Sequence, residues 1–430
     1  MKKRKKTENR LPLLATAGLL FLCMTGAIMF WNRGGAMGEY EPVLRPDRET
    51  SGNMETGKGT KRQETQEAEH ISETEKIRIA AEMPEETLPE TDSPNTGMEK
   101  AQILLDEMSL EEKAGQMFLV RYPEDGAEEM TGTYFPAGYI MFARDFEGKD
   151  DAMVSEEIRA LQAAARTPLL IAADEEGGTV NRVSRSPLLR ESPFLSPQQL
   201  YEEGGMERIE SDTREKSRFL KELGINVNFA PVCDVSEDPE DFIYERSFGK
   251  DAEQTSEYVR IVTETMGEEQ MGCVLKHFPG YGNNEDTHTG MARDERSYET
   301  FVNTDFLPFQ AGIAAGAPMV LVSHNVVSCM DQNRPASLSP AVHRILREEL
   351  NFSGVIVTDD LDMEGVREFA DDREAAVLAV EAGNDLLCCS DVELRMQAVL
   401  DAVESGRITE ERINESVLRI LNLKISLGIL

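Results

Sequence analysis

Val355-Ile356-Val357-Thr358-Asp359-Asp360 sets four β-branched residues directly ahead of two carboxylates. Such residues favour a pleated backbone, and a short apolar run without polar alternation indicates a strand buried on both faces. Seven more runs share this texture: Met117–Val120, Tyr139–Phe142, Leu169–Ala173, Val227–Ala230, Cys273–Lys276, Met319–Val322 and Asp385–Cys388. Helical patterns separate them, among them Asp251–Met271, Ser297–Ala315, Pro340–Leu350 and Glu364–Ala382. Ser196-Pro197 and Ser339-Pro340 read as helix starts, with serine as cap and proline in the first turn. Strands buried on both sides and alternating with helices form a parallel sheet. Eight such units in about 330 residues predict a closed (β/α)8 TIM-type barrel, one α/β catalytic domain over residues 98–430. An open doubly wound sheet is disfavoured, because no glycine-rich phosphate or dinucleotide loop follows the first strand.

Ahead of the barrel the texture is different. Residues 1–10 carry Lys2, Lys3, Arg4, Lys5, Lys6 and Arg10, and an almost unbroken apolar run follows over 11–31. At about 1.5 Å per residue that run reaches about 31 Å, enough to cross a bilayer core. The basic cluster should stay cytoplasmic, so a single-pass anchor with an extracellular catalytic domain is expected, or a secreted protein if the segment is a cleaved signal peptide. Residues 32–97 are rich in Glu, Thr, Lys and Gly and read as a disordered acidic tether. As a flexible coil it spans about 40–50 Å. The formal charge of −35 repels polyphosphates and argues against nucleic acid as a partner. The six cysteines show neither zinc spacing nor a disulfide framework and read as buried thiols. A monomeric catalytic domain is expected.

In a barrel, chemistry sits where strands end. The third strand leads into Asp174-Glu175-Glu176-Gly177-Gly178, the fourth runs from Asn228 toward Asp234, and the fifth ends in Lys276-His277-Phe278-Pro279-Gly280. Ser323-His324-Asn325 closes the sixth, and Asp359-Asp360 the seventh. Of the chain's five histidines, His277, His288 and His324 fall in these exits. Aspartates facing histidine and lysine suit glycoside cleavage, in which a carboxylate attacks the anomeric carbon while an acid protonates the leaving oxygen. Asp359, fixed by its strand, is the natural nucleophile, although capping of the next helix would also account for it. Strand alternation, if it persists, points Asp360 elsewhere. In the loop from Gly280 to Gly290, Asp286 and His288 stand two apart and face the same way in an extended segment. A carboxylate beside an imidazole keeps a proton available near neutrality, as a general acid requires; an ordinary polar loop is the competing reading.

These residues carry a resemblance. Residues 98–430 resemble the single-domain β-N-acetylhexosaminidases of glycoside hydrolase family 3. The similarity runs through Ser109–Met117, Asp174–Gly178, Arg246-Ser247-Phe248-Gly249, Lys276–Gly280, Asp286-Thr287-His288, Ser337–Pro340, Val355–Met363 and Glu381–Asp385. It implies Asp359 as the nucleophile, His288 as an unusual acid/base and Asp286 as its dyad partner. It further implies Asp174, Arg182, Arg246, Lys276 and His277 as sugar-binding residues. The implied activity is removal of terminal β-linked N-acetylglucosamine from oligosaccharides or cell-wall (peptidoglycan) fragments. No metal or organic cofactor is implied. Tyr281 stands where many members have histidine, and Thr179 where many have arginine, which bears on aglycone preference.

Other readings remain at this point. A family 3 phosphorylase, with phosphate in place of water, or a β-glucosidase would use the same ring of residues. Lys276 at a strand end is also the position of a Schiff-base lysine in barrel aldolases. A non-catalytic cell-surface sugar binder would have no need of Asp359 and His288, and the single tryptophan, Trp31, falls in the apolar N-terminal run rather than on a sugar platform.

Overall fold

The computed structural model describes residues 94–283 and 292–430. Residues 1–10 and 11–31, most of 32–97, and both Asp286 and His288 lie outside the described residues. Among the described residues no helix is long and apolar enough to cross a membrane. The first helix, Pro94–Glu107, begins inside the stretch 32–97 that composition assigns to the tether.

Eight parallel strands form the core: β1 Phe118–Arg121, β2 Gly138–Met141, β3 Leu170–Ala173, β4 Val227–Asn228, β5 Gly272–Phe278, β6 Met319–Val322, β7 Val355–Thr358 and β8 Leu387–Cys389. They pair in the order β7-β6-β5-β4-β3-β2-β1-β8. The barrel closes between β7 and β8 through the Val357–Leu386 bridge, where Thr358 N–H donates to the Leu386 carbonyl at 3.0 Å and Leu386 N–H to that of Ile356 at 3.0 Å. All eight expected strands are present, shifted by at most two residues at their ends. β4 stops early because Pro231 follows and has no N–H for the ladder.

Both faces of each strand are buried, and the two faces do different jobs. Leu119, Ile140, Leu170, Ala172, Val227, Val274, Met319, Leu321, Val355, Val357, Leu386 and Cys388 form one buried cluster with Ile420 and Leu423 of the helix Glu410–Ser426. This is the lumen, packed solid and plugged from below. Their neighbours in the chain, such as Phe118, Tyr139, Ile171, Leu275, Val320, Ile356 and Leu387, belong to a second cluster shared with the surrounding helices. The period of two within each strand thus separates lumen from outer layer.

The helix starts at Ser196 and Ser339 form as expected, each hydroxyl accepting an N–H of the first turn with proline just inside. Two expected helices are broken. Ser297–Ala315 becomes Tyr298–Asn303 and Phe306–Ala314, and the carboxylate of Asp305 at the break is taken by Arg296. Glu364–Ala382 becomes Glu364–Arg367 and Asp372–Ala382, because Asp371 accepts from the Arg373 and Glu374 N–H groups and starts a new helix. Periodicity alone does not register such internal caps.

Below β8, the wholly buried Asp385 accepts from Arg347 at 2.6 Å, Arg419 at 3.0 Å, Ser416 at 2.8 Å and the Ile356 N–H at 3.0 Å. It ties the closing strands to two helices. Asp385→Ala strands these donors and is expected to lower the unfolding free energy by about 3 kcal/mol. A urea unfolding series measures this, and a loss below about 1 kcal/mol would show that the cluster does not hold the barrel closed.

Candidate active site

The inward phase of each strand continues one step past its last apolar residue. Two residues beyond Leu119 stands Arg121, beyond Ile140 Phe142, beyond Ala172 Asp174, beyond Val227 Phe229, beyond Val274 Lys276, and beyond Val357 Asp359. All six line one cleft at the C-terminal mouth of the barrel, with a cavity of about 150 Å³. Arg182, Arg246 and His277 line it too, so the six described residues to which the resemblance gives a role meet here: Asp174, Arg182, Arg246, Lys276, His277 and Asp359.

Asp174 leads into a small hairpin in which Glu175–Gly177 pairs with Val180–Asn181. Gly177 turns the chain at φ 101°, and a Cβ there would lie 2.1 Å from the Leu195 carbonyl oxygen. The buried Glu175 carboxylate accepts the N–H groups of Arg182 at 2.9 Å and Val183 at 2.7 Å, which fixes the backbone that carries Arg182. Glu176 faces the other way. Arg246 grips it with two bonds of 3.0 and 2.7 Å, and Lys276 Nζ lies 2.6 Å from Oε1. Burial would push the Glu176 carboxyl up, but the charges of Arg246 and Lys276 outweigh it and hold the group well below the usual carboxylate range. Lys276 also donates to Asp174 at 2.6 Å, and Arg182 Nε lies 3.9 Å from the other Asp174 oxygen.

His277 is held from both sides. Its Nε2 lies 3.0 Å from Arg246 Nη2, a group that can only donate, so Nε2 accepts. The hydrogen is therefore on Nδ1, which donates to Asp234 at 2.8 Å. The buried Asp234 also accepts the N–H groups of His277 at 3.1 Å and Tyr281 at 2.8 Å. Burial would raise its carboxyl, yet His277 and these N–H donors bring it below the ordinary range. Tyr281, buried, packs edge-on against His277 with 5.2 Å between ring centres.

Asp359 is fixed by its backbone, its N–H donating to the Val322 carbonyl at 2.9 Å, and its Oδ1 accepts the Asp360 N–H at 2.8 Å. Asp360 does not point away from the cleft as alternation predicts. β7 ends at Thr358, the pleat is lost, and the Asp360 side chain also lines the cavity, ion-paired with Arg121. Burial raises the Asp360 carboxyl to about 6 against the opposing charge of Arg121. His324 does not line the cavity. It is wholly buried, with Nε2 donating to the Asp360 carbonyl at 2.9 Å and Nδ1 accepting from Ser337 at 2.7 Å. It braces the segment that carries Asp359.

Motif reading passed over Arg121 and Phe142, and placed Glu176, Asp234 and Asp360 at strand exits without giving them a part in the site. The inward phase of β1 and β2 would have found the first two. Among the described residues, no three His, Cys, Asp or Glu side chains are grouped to hold a metal.

The family described as "Glycosyl hydrolase family 3 N terminal domain" matches residues 109–423. Over 295 residues the chain is 33% identical to the "Beta-hexosaminidase" of Methylococcus capsulatus, covering 67% of this chain and 86% of that protein. Over 329 residues it is 30% identical to "Beta-hexosaminidase A" of Pseudoalteromonas piscicida, covering 70% of this chain but only 55% of that longer protein. A solved glycoside hydrolase family 3 beta-N-acetylglucosaminidase from a Paenibacillus strain superimposes with a TM-score of 0.71 at 32% identity, covering 75% of this chain and 63% of that one.

Glu176 and Asp234 both have lowered values, so each contributes stability above its unfolded pKa of about 4, and that stability is lost as pH falls toward the folded value. The contribution of these two groups should therefore rise with pH as the medium passes from about 3 to about 5, against the opposite trend of raised carboxyls such as Asp360. Glu176→Gln should flatten this rise, as read from urea midpoints across the range. An unchanged slope would mean that Glu176 does not ionise within the network.

Proposed function

The chain belongs to glycoside hydrolase family 3, and from that premise we propose that it is a retaining exo-β-N-acetylhexosaminidase. Its substrates are oligosaccharides or cell-wall fragments ending in β-linked N-acetylglucosamine. The observation that carries the reading is the position of Asp359: an inward carboxylate at the end of β7, tied through its backbone, in the same cleft as Asp174, Lys276, Arg246 and His277. The relatives named beta-hexosaminidase support the sugar, and the small cavity supports release of one terminal residue at a time.

Two displacements make up the reaction. Asp359 attacks the anomeric carbon as the glycosidic C–O bond breaks, and His288 gives its proton to the leaving oxygen. Water then attacks the glycosyl ester, His288 takes its proton, and Asp359 is released with the sugar in its original anomeric form. Asp286 orients His288; both roles rest on the sequence resemblance. Asp174, Lys276, Arg246 and His277 bind ring substituents from groups already paired to one another, so little reorganisation accompanies binding. Arg182 flanks the same sugar. No cofactor takes part in this scheme. We further propose that residues 11–31 anchor the chain with its barrel outside the cell, supported by the basic cluster before that run.

The test uses the full chain on chromogenic β-N-acetylglucosaminide and β-glucoside, with and without phosphate. Release from the first substrate should be phosphate-independent, and Asp359→Ala should lower kcat by at least about 10³-fold. Near-wild-type turnover in that variant would remove the nucleophile assignment. Dependence on phosphate would make the protein a phosphorylase, and preference for the glucoside a glucosidase. His288→Ala should lose turnover most severely on substrates with poor leaving groups, since these depend most on the acid.

A further inference from the structure

The cleft carries one cation that no motif singled out. Arg121 ends β1, is about one-third exposed, and gives its Nε to the carboxylate of Asp360. That carboxylate is itself held, its other oxygen accepting the Asp362 N–H at 2.9 Å, while the Asp360 carbonyl takes the His324 bond. The guanidinium lies 5.3 Å from the centre of the Phe142 ring, and Arg182 lies 5.7 Å from the same ring. Arg121 is thus fixed on one edge by the ion pair and supported by an aromatic face. Among the described residues its Nη groups have no hydrogen-bond acceptor, and they belong to a side chain that lines the cavity. The Nε of Arg182, in the same wall, is also buried without an acceptor.

Barrel topology says which part of a ligand Arg121 meets. β1 stands four strands from β5, and β3 four strands from β7, so Arg121 faces Lys276 across the mouth and Asp174 faces Asp359. With the anomeric carbon at Asp359, the far end of a pyranose ring points toward Asp174, and its two flanks point toward Lys276 and Arg121. The Lys276 flank is a dense polar net of His277, Arg246 and Glu176, suited to the adjacent ring substituents at C2 and C3. Around Arg121 the lining is Ile140, Phe142, Met363 and Cys388, apolar apart from the Arg121 and Arg182 guanidinium groups and the Asp360 carboxylate. That lining suits C5 and the exocyclic methylene, with one polar atom at its tip.

Building on the hexosaminidase reading, we propose that Arg121 is a specificity-determining residue that reads the C6 hydroxyl of the terminal sugar. Its free Nη edge donates to the C6 oxygen, and Asp360 holds the guanidinium in place for that bond. The Asp360 carboxylate, which already offsets the guanidinium charge, makes the position selective for a neutral hydroxyl over an anionic C6 group.

Steady-state kcat/KM is measured on aryl β-N-acetylglucosaminide, its 6-deoxy analogue and its 6-phosphate, for the full-length wild type and for Arg121→Met. Wild type should prefer the parent over the 6-deoxy substrate by about 10- to 100-fold, the range for a hydrogen bond from a charged donor, and should turn over the 6-phosphate poorly. Arg121→Met should bring the parent down to the level of the 6-deoxy compound while leaving the latter within about threefold of wild type. Equal wild-type rates on parent and 6-deoxy substrates would overturn the proposal without reference to any variant, as would a 6-phosphate turned over faster than the parent. No turnover of the parent by wild type would instead remove the hexosaminidase reading, and this inference with it.

Discussion

A closed ring of eight short parallel strands leaves every second side chain no choice but to enter the lumen. Leu119, Ile140, Ala172, Val227, Val274, Leu321 and Val357 fill that space, and the helix Glu410–Ser426 seals it from below. One residue pair higher the same phase delivers Arg121, Phe142, Asp174, Phe229, Lys276 and Asp359 to a single mouth. The cleft is therefore the packing rule of the core continued past the point where apolar residues end. Side chains from six strands, up to 238 positions apart in sequence, converge without any loop having to find them.

Convergence of that many charges would be unfavourable if they were left unpaired. Here the cations and carboxylates form a continuous chain from Asp234 through His277, Arg246, Glu176 and Lys276 to Asp174. Each link consumes a donor or acceptor that would otherwise need water. Glu176 is the pivot, since among the described residues it alone binds both Arg246 and Lys276 and is itself buried. Groups held this way keep their positions whether or not a ligand is present, which is how a polar site stabilises developing charge at small reorganisation cost.

The same rules explain what was legible from sequence. Strands read well because a run such as Val355–Thr358 is apolar on both faces and too short for a helix. Asp174, Lys276 and Asp359 read well because they stand in phase at strand ends. Asp360 misled because alternation was extended beyond Thr358, where no ladder enforces it. Glu176 is the third of three consecutive acidic residues and Asp234 lies in a loop, and only the folded chain shows that their partners are Arg246, Lys276 and His277. His324 looked like a third site histidine on position alone, but its partners, Ser337 and a backbone carbonyl, make it a brace. The helix breaks at Asp305 and Asp371 escaped because each depends on how a single carboxylate is used.

The proposed nucleophile and the proposed acid make different demands on the scaffold. Asp359 must hold its line of attack, and it receives a strand, a backbone bond to Val322 and the His324 brace behind it. His288 belongs to residues 284–291, outside the described residues, yet the segments on either side of them are tied together by one side chain. Arg296 pairs with Asp294 at 2.8 Å and Asp305 at 3.0 Å, and donates to the Gly280 carbonyl at 3.3 Å. Gly280 precedes that stretch, Asp294 follows it, and Asp305 stands just before the helix Phe306–Ala314. A Cβ at Gly280 would fall 2.4 Å from an Asp305 carboxylate oxygen, so glycine is what lets the two segments approach closely enough to share this cation. The buried Asp294 and Asp305 carboxylates thus share one cation, which holds the backbone at Gly280 against the segment leading into the helix Phe306–Ala314.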